Sequence, residues 1–133
     1  VITAVDTAVL VAIDQAEPEA GWWVDQLAEA RMDGGLAISP VVAAEFFAVV
    51  MNEHDFDATL ADLGIEIRPF TRASAMLAGQ IFRRYRDAGG PRQHMVPDFL
   101  IAAHAAVDCG RLASPDRGYL RRYFPQLHLI KPS

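Results

Sequence analysis

Three acidic residues stand just beyond short apolar runs: Asp6 after Val1–Val5, Glu45 one turn past Leu36–Ser39, and Asp116 past Leu112–Ser114. A fourth, Asp98, follows Pro97 at the start of another apolar stretch. Carboxylates gathered at one place repel one another, and several protonate unless a cation neutralises them. Hard oxygen ligands favour Mg²⁺ or Mn²⁺. Such an ion binds a phosphodiester, acidifies water and stabilises a leaving oxygen, which is metal-assisted phosphoryl hydrolysis without a side-chain nucleophile. Each Asp taken singly also suits a helix cap or a turn, because Asp6-Thr7, Pro97-Asp98 and Pro115-Asp116 look like helix or turn starts. Glu45 resists that explanation. Its helical neighbours Val41, Val42, Ala48 and Val49 form an apolar stripe expected to face the core, where an isolated carboxylate is costly. Protonation, a buried Arg partner or a shared cation would offset that cost, and the first 66 residues offer only Arg31.

The elements that must position these acids alternate along the chain. Val1–Val5 reads as a buried strand, followed by helical spacing through Thr7–Ile13. Pro18–Met32 is an amphipathic helix ended by Gly34-Gly35, and Leu36–Ser39 is a second strand. Pro40 suits the first turn of a helix that runs through Val49. His54–Leu63 reads as a short helix, Ile65–Phe70 as a strand, and Thr71–Ala88 as a long helix stopped by Gly89-Gly90-Pro91. Pro97–Cys109 is an apolar helix, Leu112–Ser114 a strand, Asp116–Phe124 a turn or short helix, and Leu127–Ile130 the last strand. Alternation of this kind predicts right-handed crossovers and a central parallel sheet, an α/β chain with three α/β/α layers. Ligands in such sheets sit outside the carboxyl ends of the strands, where these acids fall.

At 133 residues and 52% hydrophobic, the chain suits one domain spanning 1–133 with a single core, and it excludes a disordered tail. The net charge of −5 conceals an asymmetry: residues 1–66 hold thirteen acids and one base, whereas residues 67–133 hold four acids and eleven bases. A pI near 5.2 argues against general nucleic-acid adhesion, yet the second half has the arginines for a basic face. The single Cys109 closes no intrachain disulfide, the first residues lack a signal-peptide pattern, and no apolar run approaches a membrane span. A cytoplasmic location with no membrane association is the expectation.

The segments Val5-Asp6-Thr7-Ala8, Ser39-Pro40-Val41-Val42-Ala43-Ala44-Glu45, Pro97-Asp98-Phe99-Leu100-Ile101 and Ser114-Pro115-Asp116-Arg117-Gly118-Tyr119, in this order, resemble the PIN domain. Within that family the chain is most similar to VapC-type toxins of prokaryotic toxin–antitoxin pairs, over essentially its whole length. The resemblance implies a Mg²⁺- or Mn²⁺-dependent endoribonuclease, a homodimer held inactive by a cognate antitoxin. It assigns Asp6, Glu45, Asp98 and Asp116 to the acidic quartet that holds metal and positions water, and Ser114 to a small polar position near the metal. Many members carry one more acid shortly after the Asp116 position; Gly118 and Tyr119 do not supply it, which bears on the number of metal ions.

Arg117 beside Asp116, Arg92, and His94 in the polar loop before Pro97 are the candidates for contacts to RNA phosphate, with Ser114 close to the substrate as well. His54, His94, His104 and His128 have no metal-ligand spacing, and His104 lies six residues after Asp98, off its helical face. Arg83, Arg84 and Arg86 suit either RNA backbone or an acidic partner, and Trp22 and Trp23 suit a packed helix face more than a stacked base. Neither G-x-x-x-x-G-K-[ST] nor G-x-G-x-x-G occurs, and Ala8 stands where a haloacid-dehalogenase-type phosphatase needs a second Asp. The competing reading is a PIN-like module that binds RNA or protein with little nuclease activity.

Overall fold

The structure, a computed structural model, describes residues 1–90, 96–115 and 118–132. Asp116, Arg117, Arg92 and His94 lie outside the described residues. The elements follow the predicted alternation: β1 (Thr3–Val5), α1 (Thr7–Asp14), α2 (Ala20–Asp33), β2 (Leu36–Ile38), α3 (Pro40–Val50), α4 (Glu53–Leu63), β3 (Ile65–Ile67), α5 (Arg72–Asp87), α6 (Val96–Asp108), β4 (Arg111–Ala113), α7 (Gly118–Tyr123) and β5 (His128–Ile130).

The five strands form one parallel sheet in the order β3-β2-β1-β4-β5. Every residue of β1 and β2 is buried. Because successive side chains point to opposite faces, such strands need cover on both sides, which is the three-layer arrangement. The edge strands β3 and β5 are mostly exposed or half-buried. The chain builds outward from β1 to β3 on one side, then returns to place β4 and β5 on the other. The strand order therefore reverses between β1 and β4, whose partners Val5 and Ala113 lead directly into Asp6 and Ser114. Such a switch point opens a crevice at the strand ends.

Helix starts explain several boundaries. Ser39 extends β2 only as a cap: its hydroxyl accepts from the Val42 amide at 3.3 Å, and Pro40 occupies the first turn of α3. Thr71 and Ser74 form a capping box on α5. Gly64 ends α4 with a φ of 75°, and a Cβ there would run into the Arg31 guanidinium. The expected strand Ile65–Phe70 stops at Ile67, although the Arg68 amide still donates to Ile38 O at 2.9 Å.

Trp23, Phe46, Phe99, Leu10 and Leu27 are among the largest fully buried side chains. Burying each is worth roughly 1.5–3 kcal/mol. Phe99 contacts Phe82, Tyr85, Tyr123 and Phe124, so one residue of α6 is packed by rings from α5 to the end of α7. That packing fixes the helix that carries Asp98. Among the described residues no helix is long and apolar enough to cross a membrane.

Candidate active site

Asp6 is the first residue past β1, in extended backbone with φ −76° and ψ 152°, and only 4% exposed. Its amide donates to Ala113 O at 3.0 Å, and its carbonyl accepts from the Val9 amide at 3.1 Å, so both peptide groups are fixed. It stands at the N-cap of α1, but its side chain makes no capping bond. The capping explanation therefore fails for this residue. Its Oδ2 instead accepts the Ser114 hydroxyl at 2.6 Å. Ser114 is fully buried at the end of β4, and its amide donates to Ile130 O at 3.0 Å. A hydroxyl committed in this way orients Asp6.

Glu45 lies one turn into α3 and is half-buried. Its Oε1 accepts the Thr7 hydroxyl at 2.6 Å, across 38 residues of sequence. The apolar stripe expected around it divides: Val42 is buried with Phe46, Val41 is half-buried, and Ala48 and Val49 are exposed. Glu45 thus sits at the rim of the core, where a carboxylate keeps access to solvent. Asp98 is half-buried in the first turn of α6. That helix packs on α3, β1 and β4, the elements adjoining Glu45, Asp6 and Ser114.

The donor chemistry at this edge fits a hard divalent cation. Asp6 is a buried carboxylate that holds one hydroxyl bond, and among the described residues no Arg, Lys or His pairs with Asp6 or Glu45. Among the described residues no three His, Cys, Asp or Glu side chains form a metal-binding group. Asp6, Glu45 and Asp98, the described members of the acidic quartet expected from the sequence, are thus not brought together into such a group.

The chain belongs to the PIN domain family. Residues 3–125 match that family. The PIN chain is 33% identical over 131 residues to Ribonuclease VapC10 of Mycobacterium tuberculosis, covering 96% of this chain and 90% of that one. Its fold is that of chains in VapBC2 from Rickettsia felis, solved bound to a DNA fragment from the promoter, with TM-score 0.75, 22% identity and full coverage of both chains. VapBC-1 from nontypeable Haemophilus influenzae gives TM-score 0.68 at 15% identity over 98% of each chain.

The remaining sequence candidates separate within this PIN fold. His104 is a satisfied core histidine: it is 1% exposed, its Nε2–H donates to Arg68 O at 2.9 Å, and its ring packs edge-on against Phe70. Burial lowers its pKa below 6.5, outweighing the backbone bond and the Asp108 charge, which raise it. Beside it, burial pushes the Cys109 thiol up to about 11. Arg83 pairs with Asp87 at 3.2 Å, Arg68 with Glu66 at 3.4 Å and Arg111 with Asp33 at 2.9 Å; the Arg83 side chain stays exposed in its pair, that of Arg68 partly so, and Arg111 is largely covered. Arg122 lies over the Tyr123 ring at 5.3 Å. Trp23 is buried, and Trp22 packs edge-on against it at 4.9 Å.

Thr7 is the site residue that sequence reasoning passed over. The available signal was a β-branched hydroxyl residue at the first position of a helix, directly after a carboxylate.

Proposed function

We propose that this chain is a divalent-metal-dependent endoribonuclease that acts as the toxin of a toxin–antitoxin pair. The observation that carries it is the buried Asp6 carboxylate at the strand-order reversal, held by Ser114 and left without a cationic partner among the described residues. Asp6, Glu45 and Asp98, with Asp116, are the residues that would hold Mg²⁺ or Mn²⁺. When bound, the cation supplies the positive charge that polarises a phosphodiester and acidifies water. Ser114 and Thr7 orient Asp6 and Glu45 before substrate arrives, so the carboxylates need little rearrangement. Arg117, Arg92 and His94 are proposed contacts to RNA phosphate.

The 33% identity to Ribonuclease VapC10 supports RNA as substrate, and the fold shared with chains of VapBC complexes supports an antitoxin partner; a homodimer and a cytoplasmic location belong to the same proposal. A basic side chain of that antitoxin inserted among the carboxylates would replace the cation's charge and silence the site.

The test is cleavage of structured and single-stranded RNAs by antitoxin-free protein in Mg²⁺, Mn²⁺ and EDTA, beside Asp98→Asn prepared identically. Wild-type cleavage that requires the ion and is lost in the variant is expected. Equal cleavage by both proteins, or cleavage that persists in EDTA, contradicts the proposal.

A further inference from the structure

We infer that Thr7 is a positioning residue for Glu45: its hydroxyl selects the Glu45 conformer that faces a divalent cation. The inference rests on the reading of this edge as a cation site. The bond of 2.6 Å from Thr7 Oγ1 to Glu45 Oε1 falls in the range of charge-assisted O–H···O⁻ contacts. Neither helix needs it to form. α1 begins with the Asp6 carbonyl accepting from Val9, and α3 has the Ser39 cap, Pro40 and the buried Val42 and Phe46. Both residues are only half-buried, so the bond does not rescue a polar group from the interior.

Its consequence is directional. A glutamate at the rim of the core has several rotamers available, and a donor on the facing helix removes most of them. Thr7 uses Oε1, and among the described residues Oε2 carries no hydrogen bond. One oxygen is therefore held while the other stays available to a cation or its water. The donor is also well placed, because Asp6 is locked at both of its peptide groups and Thr7 is the next residue. Asp6 and Glu45 are thereby tied to the same turn of chain. Outer partners that orient a ligating carboxylate commonly influence metal affinity about as strongly as activity.

The experiment is calorimetric titration of the purified full chain with MnCl₂, comparing wild type, Thr7→Val, Thr7→Ser, Glu45→Gln and the Thr7→Val/Glu45→Gln double variant. Melting of the cation-free proteins is measured alongside. Thr7→Val keeps the shape and removes the donor, and it is expected to weaken Mn²⁺ binding about tenfold, with cation-free melting unchanged. Thr7→Ser restores binding. In the Glu45→Gln background Thr7→Val costs nothing further, which a purely structural role would not produce. Unchanged Mn²⁺ affinity in Thr7→Val, or an equal loss with and without Glu45, overturns the inference. A wild-type chain that takes up no Mn²⁺ overturns the cation-site reading itself, a result distinct from either.

Discussion

The Thr7–Glu45 and Thr71–Asp108 pairs share a donor type, a carboxylate and a distance of 2.6 Å, and they differ in what remains on the carboxylate. At Asp108 both oxygens are engaged, Oδ1 by the Thr71 hydroxyl and Oδ2 by the Thr71 amide at 3.3 Å. Those bonds tie the end of α6 to the capping box of α5. Burial raises the Asp108 pKa, but the Thr71 and Ser74 bonds outweigh it and hold the carboxyl below 3.8. At the strand ends, Glu45 and Asp6 each accept a single hydroxyl and keep a second oxygen unbonded among the described residues. A threonine–carboxylate bond thus closes a helix junction in one place and leaves an oxygen unbonded among the described residues in the other. Polar contact alone therefore does not separate the two regions; the number of carboxylate oxygens left unbonded among the described residues does.

Substitution should separate the two regions most sharply. Asp6→Asn is expected to lower RNA cleavage by more than the about 10–100-fold that loss of an orienting partner costs, while the cation-free protein melts at or above the wild-type temperature because a repelling charge has gone. Asp108→Ala is expected to keep cleavage and lose about 1 kcal/mol of stability, given its solvent-screened bonds. Cleavage assays and urea unfolding of both variants check this. Loss of activity in Asp108→Ala with full stability would erase the distinction.

Acid unfolding gives a smaller effect. The fold holds His104 neutral, so its contribution is present in full above pH 6.5 and lost as pH falls through its lowered pKa. Asp108 contributes above pH 3.8, and that share is lost as pH falls through its own lowered value. Unfolding free energy measured against pH should therefore begin to fall below 6.5, and His104→Gln, which retains an N–H for Arg68 O, should flatten that first decline. An unflattened decline would remove His104 from the account.

The legible and illegible parts of this molecule follow one physical division. The placement of Asp6 at a strand end, of Glu45 one turn into a helix and of Asp98 in the first turn of another was legible because an acid near an apolar run reports such a boundary, a property of neighbouring residues. For His104 the spacing argued only against a metal ligand, and its place in the core, against Arg68 O and Phe70, needed tertiary information. The Thr7–Glu45 bond and the Thr71–Asp108 junction depend on how helices pack across 38 and 37 residues of sequence, which periodicity does not encode. The burial expected around Glu45 also required tertiary information: local spacing showed an apolar stripe, but α3 is covered at Val42 and Phe46 and open at Val49.

The central claim is that the Asp6 edge binds a divalent cation, and thermal unfolding of wild type and Asp6→Asn across a Mn²⁺ titration tests it most directly. Ligand that binds only the folded state raises its melting temperature with concentration. The account predicts a rising melting temperature for the wild type and none for Asp6→Asn. The same rise in both proteins, or no response in the wild type, would contradict it.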